Sequence, residues 1–195
     1  MSESVTKEQA HDAVRTILKY IGEDPNREGL LETPARVVRS YAELYGGYGK
    51  DPGPILKTFK DGGEKADEMV LQRNISFFST CEHHMLPFFG VAHVAYLPSK
   101  SIVGLSKLAR LVEVYARRLQ VQERMTNQIT DALMAELQPR GAACVIQATH
   151  LCMVQRGVAK HNTDTITSCL RGSFLEHKTR AEFFELTKLA TLRPL

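Results

Sequence analysis

The sequence predicts an α+β protein, in which helices and antiparallel strands follow one another in blocks. Two helical patterns open the chain, and two pairs of strand patterns follow, with two further helices between the pairs. At 195 residues with 43% hydrophobic side chains, the chain is long enough to bury a core without disulfides. These observations exclude a disordered or fibrous protein.

The first two helices are predicted from their caps and their apolar spacing. Thr6 and Gln9 form a capping-box pattern ahead of a segment whose apolar residues recur every three or four positions. Thr33 precedes a proline, so we expect Thr33 to cap the second helix with Pro34 in its first position. Gly46–Gly47 is expected to end that helix.

A stretch rich in proline and glycine, residues 48–67, is the longest irregular connection of the chain. We therefore predict an N-terminal helical section over residues 1–67 and a second domain over residues 68–195. The patterns in that domain predict, in order, strands at 69–78 and 89–97 with residues 81–88 as their loop, helices at 106–119 and 122–137, strands at 142–148 and 164–174, and a helix at 176–190.

Charge and composition exclude several classes of function. Lys and Arg total 25 against 22 Asp and Glu, and the net charge of +3 is less basic than that of most nucleic-acid binders. No apolar run reaches the roughly 18 residues of a membrane span, and the N-terminus lacks the apolar run of a signal peptide. We expect a cytoplasmic protein that binds neither nucleic acid nor membrane and keeps its four cysteines as thiols or metal ligands.

Cysteine and histidine in one polar loop indicate a metal site. Cys81 and His84 stand three residues apart, and Cys152 follows a predicted strand. Zinc favours nitrogen and sulfur donors, and catalytic zinc sites keep three protein ligands and leave the fourth position to water. Three ligands therefore indicate catalysis, with an incidental Cys-x-x-His pair as the alternative. His150 is expected to share one face of extended chain with Cys152, and His83 is adjacent to His84, so both His150 and His83 are candidates for proton transfer.

The alternative for His83 and His150 is an ordinary structural role in a loop or a sheet, and the residues alone leave it open. Cys144 and Cys169 lie in apolar strands, where we expect them to pack as small hydrophobic side chains.

One predicted helix start carries a hydroxyl and two cations, which are Ser106, Lys107 and Arg110. Unpaired N–H groups and the helix dipole attract anions there, so a phosphate is expected, with a solvated basic face as the alternative. Arg156 adds a cation close after the last predicted metal ligand. Glu123 suits guanine recognition, because a carboxylate accepts two parallel hydrogen bonds from N1–H and the amino group; surface solvation is the ordinary explanation.

Several separated segments match those of a known family in order and spacing. They are Glu23–Leu30, Thr33–Arg36, Cys81–His84, Gly104–Arg110, Gln120–Arg124, and His150–Met153 followed by Arg156–Gly157. These segments resemble the signature of GTP cyclohydrolase I, the zinc-dependent type, and the resemblance extends from about residue 10 to residue 186. It implies conversion of GTP and water to formate and 7,8-dihydroneopterin triphosphate, the first step of tetrahydrofolate or tetrahydrobiopterin synthesis.

The resemblance also implies roles for individual residues. The expected zinc ligands are Cys81, His84 and Cys152, and the expected catalytic residues are His83 and His150. The expected substrate contacts are Gln122 and Glu123 with guanine, Ser106, Lys107, Arg110 and Arg156 with ribose and triphosphate, and Arg36 with phosphate from a neighbouring subunit.

The implied fold is the tunnelling fold, a four-stranded antiparallel sheet with a helix pair packed on it. Five such subunits join their sheets into a ring, two rings form a decamer, and the active sites lie between subunits. This assembly fits one physical point, because the two edges of a four-stranded sheet must be paired or protected.

Two other functions remain as alternatives. A related tunnelling-fold enzyme, such as a nitrile reductase or a pyruvoyl-tetrahydropterin synthase, would keep the fold, but the first lacks a metal and the second uses three histidines. A non-catalytic module stabilised by zinc would saturate the ion with protein ligands and unfold when zinc is removed.

Overall fold

The structure is a computed structural model that describes residues 5–60 and 66–188. Helices and strands occupy the blocks that the sequence predicts, so the α+β class is confirmed. Within those two ranges, no helix is both long and apolar enough to span a bilayer.

The fold divides into two compact units, Met1–Gly46 and Gly47–Leu195. This division falls directly after the second helix, ahead of the stretch rich in proline and glycine. Residues 61–65 of that stretch lie outside the described part of the chain. A functional division at residues 67 and 68 stays a prediction.

Between residues 5 and 46, the first unit contains two helices and a short 3-10 turn. They are α1 (Lys7–Tyr20), the turn Glu28–Leu30, and α2 (Thr33–Leu44). The predicted capping box of α1 is confirmed, because Thr6 Oγ1 accepts from Gln9 N and Gln9 Oε1 accepts from Thr6 N. The predicted cap of α2 is wrong by one residue. Thr33 already belongs to the helix, Glu32 is its N-cap, and Pro34 therefore occupies the second helical position.

The second unit holds the remaining elements. Its strands are β1 (Thr58–Phe59), β2 (Val70–Cys81), β3 (Pro87–Leu97), β4 (Ile102–Val103), β5 (Leu119–Gln120), β6 (Gly141–His150) and β7 (Thr165–Gly172). Its helices are α3 (Leu105–Ala116), α4 (Gln122–Leu137), α5 (Leu151–Val154) and α6 (His177–Thr187), with 3-10 turns at Gly53–Ile55 and Ser173–Leu175. The last two residues predicted for the closing helix, 189 and 190, lie outside the described residues.

Five strands form one sheet in the order β5-β2-β3-β6-β7, and β1 pairs with β4 separately. The four long strands are antiparallel neighbours. The short β5 runs parallel to β2, with Leu119 opposite Thr80 and Gln120 opposite Cys81. The sequence predicts four strands and not β5, because two residues are too few to carry a strand pattern.

Apolar side chains pack on both faces of the sheet. On one face Leu111 of α3 and Leu133 of α4 are fully buried in a cluster that includes Phe77 of β2. On the other face Phe174 and Phe183 of α6 and its preceding turn pack edge to face, with ring centroids 5.4 Å apart. Each such side chain contributes about 1.5–3 kcal/mol of burial free energy. The packing of α3 and α4 therefore holds one face of the sheet, and one end of this sheet carries the site described below.

The connection between β2 and β3 is shorter than the sequence predicts. Cys81 is the last residue of β2, and Phe88 lies inside β3. Two backbone hydrogen bonds of 2.9 Å close the turn, one from Cys81 N to Leu86 O and one from Met85 N to Cys81 O. The polar segment is therefore a tight turn rather than a long loop.

The predicted extended chain around Cys152 is wrong. β6 ends at His150, and α5 begins at Leu151 as one helical turn. Gln155 N closes that turn by donating to Leu151 O at 2.9 Å. The turn takes Cys152 out of the strand alternation, so His150 and Cys152 do not share a strand face.

Candidate metal centre and substrate site

One end of the sheet gathers the chemically active side chains of the second unit. β2 and β6 end there, β3 begins there, and β5 leads directly into α4. Glu82 N donates to Gln120 O at 3.0 Å, which continues the pairing of β2 with β5 beyond the end of the strand. The turn after β2 is therefore held beside the first turn of α4.

The three predicted metal ligands, Cys81, His84 and Cys152, come together at this end of the sheet. One ligand atom from each residue lies within 4.8 Å of the other two. Cys81 is buried, Cys152 is half-buried and His84 is exposed, so the cluster opens to solvent on the histidine side. Two sulfurs and one imidazole nitrogen form a donor set that suits zinc. In the part of the chain that the structure describes, the cluster has these three members.

The surroundings of Cys152 in the cluster favour its protonated form. Burial raises the pKa of the Cys152 thiol, and the neighbouring sulfur of Cys81 raises it further. A metal ion binds the thiolate rather than the thiol, so metal binding here must displace a proton. The raised pKa means that Cys152 is held as a thiol while no metal is bound.

His83 lies beside the cluster rather than in it. Its Nδ1 is 3.8 Å from Cys81 Sγ, and its Nε2 is 4.0 Å from Glu82 Oε1. The side chain of His83 is 64% exposed, so it can meet a substrate that approaches from solvent. This position suits an acid or a base that acts next to a metal.

His150 is held more tightly than His83. Its ring stacks on Phe88 with an interplanar angle of 2° and a centroid distance of 4.6 Å. Its Nε2 lies 2.7 Å from Gln122 Oε1. Burial lowers the pKa of His150, and the carboxylate of Glu123 partly opposes that shift. Burial therefore favours the neutral imidazole.

The two predicted guanine contacts at the start of α4 have different surroundings. Gln122 is 1% exposed, and its Nε2 lies 3.0–3.1 Å from three acceptors, which are Ile146 O, Thr165 O and Thr167 Oγ1. Glu123 is exposed, and its carboxylate makes no hydrogen bond within residues 5–60 and 66–188. Glu123 therefore offers free acceptor oxygens, whereas the amide of Gln122 is already engaged.

Arg156 follows α5 and reaches back to the cluster. Its Nη1 lies 3.0 Å from Nε2 of His84, while Nδ1 of the same ring lies 4.0 Å from Cys81 Sγ. A guanidinium only donates, so Nε2 of His84 is the acceptor of this contact. The exposed Arg156 is a cation at the edge of the metal cluster.

The helix start predicted to bind phosphate lies at the other end of the sheet. Val103, just ahead of α3, donates its N–H to Tyr96 OH at 3.1 Å. Strand β3 spans about 30 Å from Pro87, near the cluster, to Tyr96, at roughly 3.3 Å per residue. The residues at this helix start are Ser106, Lys107 and Arg110. Within a single chain, these three residues therefore lie far from the metal cluster.

Two of the predicted phosphate contacts have other neighbours. Arg110 lines a cavity of about 410 Å³ together with Lys50 and Glu113. Arg36 belongs to the first unit, where its Nη2 lies 2.6 Å from Glu32 Oε2 in the first turn of α2. Both guanidinium groups are exposed.

The structure places two further residues at the site, Glu82 and Arg124, which the sequence does not single out. Arg124 Nη1 and Nη2 donate to Glu82 Oε2 and Oε1 at 2.5 and 2.9 Å. These bonds lower the pKa of Glu82, chiefly through hydrogen bonding. The pair links the turn after β2 to α4. Both residues stand inside matched segments, but only their opposite charges could have suggested a contact between positions 42 apart.

Histidines within reach of an open three-ligand metal cluster are typical of hydrolytic metalloenzymes, and the fold and site place this chain in that class. The family model described as GTP cyclohydrolase I matches residues 10–188. The chain belongs to the GTP cyclohydrolase I family.

Curated relatives agree with this assignment. The protein named GTP cyclohydrolase 1 from Wolinella succinogenes is 56% identical, over 88% of this chain and 92% of the relative. Proteins of the same name from Chlorobaculum tepidum and Campylobacter jejuni are 58% and 54% identical, covering 90% and 92% of this chain and 78% and 94% of their own lengths.

A solved structure is also similar to part of the chain. It is the crystal structure of the archaeosine synthase QueF-Like in the apo form, with a TM-score of 0.44 and 14% sequence identity. The match covers 55% of this chain and 97% of that protein.

Proposed function

We propose that this chain is a zinc enzyme that converts GTP and water to formate and 7,8-dihydroneopterin triphosphate. The observation that carries the proposal is the convergence of Cys81, His84 and Cys152 in a member of the GTP cyclohydrolase I family. Relatives that carry this enzyme name at 54–58% identity extend over most of the chain.

Cys81, His84 and Cys152 would hold the zinc ion. When bound, zinc supplies a Lewis acid that makes water nucleophilic near neutral pH. Structural zinc sites are usually closed by four protein ligands, so a three-residue cluster supports a catalytic role. The exposed side of His84 leaves room for a substrate to approach.

His83 and His150 would serve different proton transfers of the reaction. His83, exposed and beside Cys81, would donate a proton to N7 of guanine while the imidazole ring of the base opens at C8. A second hydrolysis then releases formate. His150 would serve the later proton transfers at the sugar, during its rearrangement and the closure of the pterin ring.

Glu123 would hold the guanine base throughout. Its exposed carboxylate can accept hydrogen bonds from N1–H and the exocyclic amine, which adenine does not offer in that geometry. The position of Glu123 on the first turn of α4, close to His150, supports this role.

The triphosphate would be bound by two chains. Arg156 supplies a cation beside its own cluster. Ser106, Lys107 and Arg110 lie about a strand length away from that cluster, which supports their serving the site of a second copy. Arg36 would add a cation from a neighbouring subunit.

A homo-oligomer with active sites between subunits follows from this arrangement. Strand β7 lies at one edge of the sheet, and an unpaired edge favours pairing with another chain. We propose the decamer of two pentameric rings that the family resemblance implies. The cytoplasm is the proposed location, because a reducing compartment keeps Cys81 and Cys152 available as ligands.

Incubation of zinc-loaded protein with GTP tests this function. We expect formate and, after oxidation, a fluorescent pterin, released in equal amounts. Protein stripped of metal should stay folded and make neither product. Absence of product from the zinc-loaded protein would contradict the proposal, and unfolding on metal removal would favour the structural zinc module instead.

A further inference from the structure

The amide of Gln122 is buried, and it has partners on all sides. Its oxygen lies 2.7 Å from His150 Nε2. Its nitrogen lies 3.1 Å from Ile146 O, 3.0 Å from Thr165 O and 3.1 Å from Thr167 Oγ1. The side chain is 1% exposed, so water does not compete for these contacts.

Two backbone carbonyls determine which way this amide faces. A carbonyl oxygen only accepts, so the group that faces Ile146 O and Thr165 O must be the amide NH₂ of Gln122. A flipped amide would set its own oxygen against both carbonyls in the protein interior, and unpaired buried acceptors are costly. The oxygen of Gln122 therefore faces His150.

The hydroxyls of Thr126 and Thr167 agree with this orientation. Thr126 Oγ1 donates to Gln122 O at 2.8 Å, which uses its proton. Thr167 Oγ1 lies 2.6 Å from Thr126 Oγ1 and must donate to it. The lone pairs of Thr167 Oγ1 remain to accept from Gln122 Nε2. The two hydroxyl hydrogens are thereby assigned directions that agree with the orientation of the amide.

The network fixes the proton on His150. Because Gln122 Oε1 can only accept, Nε2 of His150 must carry a hydrogen and donate it. A neutral imidazole has one N–H, so Nδ1 keeps its lone pair. The flat stack on Phe88 holds the ring plane, which keeps Nε2 aimed at the amide.

We propose that Gln122 is a positioning residue that fixes the ring of His150 in the tautomer with the proton on Nε2 and the lone pair on Nδ1. The role in turnover rests on the proposed function, whereas the tautomer does not. This differs from a direct contact of Gln122 with guanine, which the burial of its side chain disfavours.

Solid-state ¹⁵N NMR of the zinc-loaded protein labelled with ¹⁵N-histidine tests the tautomer. The signals of His150 are identified by their loss in His150→Gln. We expect an unprotonated, imine-type signal for Nδ1 and a protonated, pyrrole-type signal for Nε2. The opposite tautomer would overturn the proposal, whatever the activity and whether or not any variant folds.

Gln122→Met removes the amide and keeps nearly the same side-chain volume. We expect His150 to show both tautomers in this variant, kcat with GTP to fall roughly tenfold or more, and KM to stay within about threefold. A rise in KM with an unchanged tautomer and kcat would assign Gln122 to guanine binding and overturn the proposal.

Gln120→Met is the matched control. Gln120 is also buried, at 2% exposed, but its amide donates to Tyr115 O and Gln128 Oε1 and not to His150. We expect this variant to keep the wild-type His150 signals. Loss of the tautomer in Gln120→Met as well would mean that any buried amide change disturbs the ring, against a specific role for Gln122. Wild-type protein that makes no product from GTP would remove the proposed function and leave the NMR result standing.

Discussion

Glu82 and Arg124 form two parallel hydrogen bonds of 2.5 and 2.9 Å between the turn that carries the metal-site histidines and the first turn of α4. The side chains of Glu82 and Arg124 are 29% and 48% exposed, so the ion pair lies at the protein surface between the two segments. Glu82 N also donates to Gln120 O. Glu82 therefore uses both its main chain and its side chain to connect the metal cluster with the start of α4, where Glu123, the proposed guanine-binding residue, lies.

Arg124→Met should raise the KM for GTP severalfold while the zinc content stays the same. The substitution keeps the length of the side chain but removes the bidentate contact that sets the spacing between His83 and Glu123. Steady-state kinetics and metal analysis measure the two effects. Arg117→Met, which breaks the 2.9 Å contact between Arg117, the C-cap of α3, and Glu113 of α3, is the matched control. An unchanged KM in Arg124→Met would mean that the pair has no positioning role.

His83→Ala should keep its zinc and lose turnover by roughly 10²-fold or more, as expected for removal of a general acid. The reason is that His83 lies beside the cluster, 3.8 Å from Cys81 Sγ, without belonging to it. Metal content and product formation are measured on the same sample. His177→Ala, at the exposed start of α6, is the control. Full activity in His83→Ala would refute the role.

Lys107→Ala and His83→Ala should restore each other's activity when they assemble together. If each site takes its metal cluster from one copy and the start of α3 from another, random mixing places two intact halves together in about a quarter of the sites. Each variant is therefore expected to be weak alone, and the mixed assembly to reach about a quarter of wild-type turnover. Mixtures no more active than the separate variants would place both residues in one chain's site.

His93 should make the folded state sensitive to mild acid. It is 1% exposed, and neither ring nitrogen has a hydrogen-bond partner among the described residues. Burial lowers the pKa of His93, and Arg73 lowers it further. Below its ordinary pKa of 6.5 the unfolded chain takes up a proton that the folded chain resists, so stability is lost as pH falls.

Urea unfolding at pH 7.5 and pH 5.5 measures this effect. His93→Phe replaces the ring with one that does not titrate, so the variant should lose less stability than the wild type between the two pH values. The comparison is made within each protein, so a change of packing at pH 7.5 does not disturb it. An equal loss in both proteins would exclude His93 as the acid-sensitive group.

Long periodic elements were predictable from the sequence because they carry a pattern. The capping box at Thr6 and the bounds of α4, Gln122–Leu137, are confirmed. The two-residue β5 and the four-residue α5 were missed, since elements this short fall below the length at which apolar spacing is informative. Of these two elements, α5 affects the site more, because its helical turn sets the position of the ligand Cys152.

The metal cluster was predictable from residue chemistry, whereas its supports were not. Cys81 and His84 are close in sequence, and a sulfur donor such as Cys152 is a recognisable third ligand. The burial of Gln122 and the pairing of Glu82 with a partner 42 positions away depend on how β5 and β6 place α4. Such contacts arise from tertiary packing, which leaves no local pattern in the chain.

Zinc K-edge X-ray absorption of the zinc-loaded protein tests most directly whether Cys81, His84 and Cys152 form an open catalytic centre. We expect two sulfurs at about 2.3 Å, one histidine nitrogen, and one oxygen from water. Cys152→Ala should lose both zinc and turnover, whereas Cys169→Ala, a buried thiol away from the cluster, should keep both. A spectrum with four protein ligands, or a fully zinc-loaded Cys152→Ala, would contradict the open three-ligand centre.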